Sequence, residues 1–163
     1  MGMSKDIVGI DPGWNGGIGW INGETGKPVG VVSFSNSTEA DIISAVSTIA
    51  GGAEVCYLEK VHSMPKQGVA SSFKFGHIYG LLRGLVIGRV RTIEVTPQAW
   101  QRSLGCLTHG DKNVSKAAAQ RLFPGVKITH ATADALLIAY YGYTQERSLT
   151  PRTEIEIGYG GKK

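Results

Sequence analysis

Cysteine is scarce in this chain: Cys56 and Cys106 are the only two in 163 residues. Cys56 falls inside a strand-like alternation and Cys106 in a glycine-containing loop. Neither has a companion at metal-ligand spacing, which argues against a disulfide scaffold or a cysteine-held metal and leaves two reduced thiols as the expectation. No apolar run is long enough to span a bilayer, and Met1 to Asp6 lacks the basic-then-apolar layout of a signal peptide. A soluble, cytoplasmic protein is expected. Acids run short after residue 59. Residues 1–59 carry two Lys/Arg against seven acids, a net of −5, whereas residues 60–163 carry fifteen against six, a net of +9. A chain polarised in this way favours a polyanionic partner, nucleic acid first. The 42% apolar content is enough for one core. The expected organisation is one domain over residues 1–147 and a glycine-rich tail over 148–163.

The stretch Ile7-Val8-Gly9-Ile10-Asp11-Pro12-Gly13 reads as a buried strand that ends on a carboxylate and turns sharply. Pro12 restricts Asp11 to extended geometry, so the direction of that carboxylate is locally fixed. Residues 16–21 and 29–34 read as two further strands joined through Asn22-Gly23-Glu24-Thr25-Gly26, giving an antiparallel meander. A helix capped by Thr38 follows, with Ile42, Val46 and Ile49 at helical spacing and Gly51-Gly52 as its stop. In the next strand, 54–59, Val55, Tyr57 and Glu59 share one face. If it lies parallel to strand 7–11, with the helix as crossover, Asp11 and Glu59 emerge at one sheet edge, where open α/β sheets place their sites.

Residues 62–70, with His62 and Lys66, lack periodicity and read as a loop able to touch a substrate. The helix expected over 71–88 carries Lys74 near its start and Gly76, Gly80, Gly84 and Gly88 at four-residue spacing. Each interior glycine costs about 0.5–1 kcal/mol relative to alanine. Close backbone approach would compensate, either on the chain's own sheet or, the favoured reading, across a dimer interface through Gly76, Gly80 and Gly84. A strand over 91–95 precedes Thr96-Pro97, a strong helix start. Asp111 or Asn113 begins a basic helix bearing Lys112, Lys116 and Arg121, candidates for phosphate contact. The last element opens at His130 and runs through Asp134, one turn later and in its expected first turn, into Ala135–Tyr141.

This order of strand-Asp-Pro-Gly, strand-Glu, glycine-rich helix, Thr-Pro helix, basic helix and Ala133-Asp134-Ala135-Leu136-Leu137-Ile138-Ala139 resembles the Holliday junction resolvases of the RuvC type, in the ribonuclease H-like superfamily, and looks closest to their phage-encoded branch. The resemblance spans about residues 6–142. It implies an α/β, ribonuclease H-like fold: a mixed five-stranded sheet with helices on both faces. It also implies a homodimer that binds four-way DNA junctions, nicks two strands with Mg²⁺ or Mn²⁺, two ions per site, and works in the cytoplasm of a phage-infected bacterium. Asp11, Glu59 and Asp134 match the family's metal-binding acids. The family's further acid or histidine, three or four positions before the last Asp, is replaced here by His130, as ligand or proton shuttle. Its aromatic three residues after the strand Glu is replaced by His62, which would move that role to the loop or to Phe73 and Phe75. His62, Lys66, Lys74, Lys112, Lys116 and Arg121 are the expected DNA contacts.

The residue types suit phosphodiester hydrolysis independently of the resemblance. Two divalent ions about 3.5–4 Å apart can activate a water and neutralise a leaving oxyanion, and carboxylate oxygens suit such hard cations. Two other classes stay open at this point: a catalytically silent nucleic-acid-binding module, and an ATPase of the actin and sugar-kinase type, whose first phosphate loop Asp11-Pro12-Gly13 with Gly16 and Gly17 also resembles.

Overall fold

A computed structural model of the chain describes residues 5–62 and 68–149. The expectations for Lys66 and for the tail from residue 150 onward lie outside the described residues. Strands β1 (Asp6–Asp11), β2 (Gly17–Asn22) and β3 (Pro28–Ser33) form the meander, and helix α1 (Glu39–Gly51) leads to β4 (Val55–Glu59). Helix α2 (Val69–Ile87), β5 (Arg91–Val95), and helices α3 (Pro97–Ser103), α4 (Lys112–Leu122) and α5 (His130–Leu149) complete the described residues. The sheet order is β3-β2-β1-β4-β5. The meander pairs are antiparallel, and β1–β4 and β4–β5 are parallel, so the mixed sheet has β1 at its centre.

The punctuation read from the sequence is the punctuation that operates. Thr38 and Asp41 form a reciprocal capping box at the start of α1, whose C-cap is Gly52. The Thr96 hydroxyl accepts from the Ala99 N–H with Pro97 in the first turn of α3, and the Asp111 carboxylate accepts from the Asn113 N–H at the start of α4. Two boundaries move. Val69 and Ala70 join α2 behind Gly68, two residues earlier than expected. Helix α5 continues to Leu149, where Arg147 stacks 5.4 Å from the Tyr143 ring and bonds its hydroxyl, and Ser148 bonds back to the Thr144 carbonyl.

Helices cover both sheet faces. Val8, Ile10, Ile18, Cys56 and Leu58 pack against Ile42 and Val46 of α1 and Ile78, Leu82 and Val86 of α2. Ile7, Ile21, Val55 and Tyr57 face the other way, against Trp100 of α3, Ala118 and Ala119 of α4, and Ala133 to Ala139 of α5. The closest helix–sheet approach is made here. A Cβ on Gly9 would lie 2.3 Å from both the Ala135 carbonyl oxygen and the Ala139 nitrogen, so α5 can lie against the central strand only because that position has no side chain. The glycines of α2 behave otherwise. A Cβ on Gly76, Gly80 or Gly84 would meet nothing within 4 Å. Packing on the chain's own sheet, one of the two explanations of the stripe, is therefore ruled out, because the buried face of α2 is that of Ile78, Leu82 and Val86.

Candidate active site

β1 and β4 run side by side with Ile10 opposite Leu58, so the next residue on each parallel strand, Asp11 and Glu59, stands at the same sheet edge. Each continues the alternation that faces α3, α4 and α5. Pro12 is buried behind Asp11, the Gly13 N–H hydrogen-bonds to its carboxylate, and the turn closes through Gly16 N–H to the Gly13 carbonyl at 2.9 Å. That turn presses so closely on the strand that a Cβ on Gly16 would lie 2.2 Å from the Asp11 carbonyl oxygen. Glu59 is held differently: the buried indole of Trp100 donates from Nε1 to its Oε2 at 2.7 Å.

Asp134 arrives from the opposite end of the chain. Thr129 opens α5, its N–H donating to Thr132 Oγ1 at 3.0 Å and its carbonyl accepting from the Thr132 and Ala133 N–H groups. Asp134 consequently lies one turn beyond His130 and past the first turn, which contains no acid. This corrects its expected first-turn position and removes helix-dipole stabilisation as its explanation, since that effect fades within the first turn. Its Oδ1 is buried with no hydrogen-bond partner. An orphaned carboxylate oxygen costs about 1–3 kcal/mol or more in a site that only folds around it.

The acids are close enough for charge to act between them, that of Asp134 on Asp11 and Glu59 and that of Asp11 on Glu59. Burial, followed by the charge of Asp134, pushes the Asp11 carboxyl up to about 6, against the pull of Lys112 and the Gly13 N–H. Burial and then the Asp11 charge push Glu59 up to about 8, with the Trp100 N–H opposing. Asp134 is also raised, by burial, while the Ser115 hydroxyl and the charges of Lys112 and His130 hold it down. Buried acids perturbed by desolvation and by a neighbouring carboxylate are candidates for a functional site. As the side chains stand, no group of three or more His, Cys, Asp or Glu among the described residues closes on one metal position.

Beside Asp11 a cleft of about 340 Å³ opens between the first turns of α2 and α4, lined by Asp11, Gly13, Trp14, Lys74, Phe75 and Lys112 among others. Two of the expected DNA contacts thus sit in the site. Lys112, the first residue of α4, opposes the raised pKa of all three acids, and Lys74 faces it across the cleft. His62 is exposed just after β4, and His130 is exposed as the first residue of α5. Lys116 and Arg121 lie further along α4, half-buried and exposed respectively, and do not line the cleft. Of Phe73 and Phe75, only Phe75 lines it. Sequence reasoning passed over Trp14, Ser115 and the Trp100–Glu59 bond. The one available signal was Trp14's place in a glycine-flanked turn three residues after Asp11.

No protein-family model matches the sequence, and a search of curated proteins gives no match. Among solved structures, RuvC from Thermus thermophilus is similar at 18% identity and a TM-score of 0.60, over 88% of this chain and 96% of that one. T. thermophilus RuvC in complex with Holliday junction substrate is similar at 16% identity and a TM-score of 0.59, over 87% and 95%. The likeness reaches the RuvC-like fold and does not extend to a phage-encoded branch. At these identities it shows the architecture: the chain has a ribonuclease H-like fold, a mixed five-stranded sheet with helices on both faces, as RuvC has.

Proposed function

We propose that this chain is a structure-selective DNA endonuclease that resolves four-way or branched junctions by divalent-metal-dependent phosphodiester hydrolysis, acting as a homodimer. The observation that carries this reading is the meeting of Asp11, Glu59 and Asp134, from β1, β4 and α5, at one edge of a ribonuclease H-like sheet, where burial raises each above its ordinary value. Three partly desolvated carboxylates with an orphaned Oδ1 on Asp134 suit a hard cation, which would satisfy that oxygen and relieve the repulsion. Asp11, Glu59 and Asp134 would hold Mg²⁺ or Mn²⁺, with His130 at the rim as a further ligand or a proton acceptor. When bound, such ions supply an activated water and neutralise the leaving oxygen. The chain itself contributes Lys74 and Lys112 as phosphate contacts on the two cleft walls, and the Trp100 N–H to orient Glu59. The open glycine face of α2 suits a second copy of the chain.

The test is cleavage of labelled four-way junction, Y-fork, duplex and RNA–DNA hybrid with Mg²⁺ or Mn²⁺. Paired nicks in the junction are expected. Asp11→Asn, Glu59→Gln and Asp134→Asn should each abolish them while leaving junction binding largely intact. Binding without cleavage under either metal would reduce the protein to a nucleic-acid-binding module, and near wild-type cutting by one of the three variants would remove that residue from the site.

A further inference from the structure

We propose that Trp14, Lys74 and Phe75 form a single-nucleotide subsite beside Asp11, which takes an unstacked nucleotide of the DNA strand being cut. The inference rests on the nuclease reading and adds to it a chemically defined substrate feature. Ser71, Lys74 and Phe75 stand at i, i+3 and i+4 on α2 and so present one face of its first turns to the cleft. Opposite them, in the turn after Asp11, Trp14 is only half-buried although it packs partly against the core beneath. Its indole edge is pinned: Nε1 donates to the Lys74 carbonyl at 3.2 Å. The Lys74 ammonium rests 5.7 Å from the centre of the same ring.

That arrangement offers a nucleotide its two requirements at once. An ammonium parked over an exposed indole is held weakly, by about 0.5–1 kcal/mol, and a phosphate is a better partner for it. Moving Lys74 onto a phosphate uncovers the ring, and the uncovered face can take the adjoining base, whichever base it is, because every base has a π-face. The cleft, at about 340 Å³, lies at the small end of the roughly 300–1,000 Å³ of ligand pockets. That is room for one nucleotide. A base can reach Trp14 only where it has left its stack, as at a branch point. Because Asp11 lines the same cleft, the nucleotide held there neighbours the phosphate presented to the acids.

The experiment is titration of the wild-type protein with a four-way junction and with unbranched duplex of equal length, in EDTA so that nothing is cut, read by tryptophan emission and by gel shift. Quenching by the junction, absent with duplex and lost in Trp14→Phe while Trp20 and Trp100 remain, is expected. Trp14→Ala should weaken junction binding by between about 5- and 150-fold, and Lys74→Ala should remove about one phosphate contact from the salt dependence. Trp14→Phe keeps an apolar ring against the core, so its loss of quenching is read on a folded protein. If the junction binds but wild-type emission does not change, or Trp14→Ala binds it as tightly as wild type, the subsite is refuted and the nuclease reading stands. If neither DNA binds at all, both readings fall together.

Discussion

Glu59 and Trp100 illustrate how a single bond can set both stability and readiness at a buried acid. With the indole N–H at 2.7 Å, Trp100→Phe would keep the ring in the core and strip the donor from an oxygen that burial already disfavours. A loss of about 1–3 kcal/mol in urea unfolding is expected, and in a Glu59→Gln background the same change should cost measurably less, as a double-mutant cycle would show. The acids also predict a pH dependence. Because burial and the neighbouring carboxylates push Asp11 up to about 6 and Glu59 up to about 8 in the folded chain, above their unfolded values, the folded state binds more protons across that range. Stability of the metal-free protein should therefore be greatest below pH 4 to 5 as far as these groups decide it, and should fall as pH rises towards 8. Asp11→Asn removes one of the crowded charges and should raise Tm at pH 8 by a few degrees, on the order of 2 kcal/mol. Thermal melts in EDTA from pH 5 to 8 check both statements; a Tm that climbs over that range would contradict the crowding of the acids.

At the scale of elements, the same residue type has opposite meanings in two places. Gly9→Ala would drive a Cβ into the backbone of α5 and should cost at least about 1–3 kcal/mol, the usual range for overpacking, or prevent folding. Gly80→Leu places its side chain in open space, so the chain should stay folded by circular dichroism, while light scattering should show a dimer for the wild type, as proposed, and a monomer for the variant. A wild type that is already monomeric would leave the glycine face of α2 without a partner. These two cases also explain what the sequence made legible. Strand and helix limits could be read because they are set locally, by Pro12, Thr38, Thr96-Pro97, Asp111 and Gly51-Gly52. Asp11 and Glu59 could be paired because each ends an apolar strand joined by a helix of crossover length. A four-residue glycine spacing, by contrast, has the same signature on an open face as on a packed one, and the close approach turned out to be made by Gly9 on a strand. Trp14 was illegible for a related reason: only the fold brings α2 across to meet it.

For the whole molecule, the polarity of charge along the chain becomes a spatial arrangement, with Asp11 of β1 sharing its cleft with Lys74 and Lys112 and Glu59 at the adjoining end of β4. Junction affinity should fall steeply with salt, with a log–log slope near −0.9 per phosphate contact. Lys112→Ala should flatten that slope and also change the acids it now steadies, whereas Lys116→Ala, outside the cleft, should change the slope alone or not at all; filter binding from 50 to 200 mM salt separates them. The seating of α5 on β1 has one more consequence. Asp11 and Glu59 are synthesised early and Asp134 belongs to α5, so a nascent chain that has not yet emerged as far as α5 cannot bring the three carboxylates together, however well its sheet has formed. On the proposed nuclease reading, the protein would in this way stay harmless until α5 has been made and seated on the sheet.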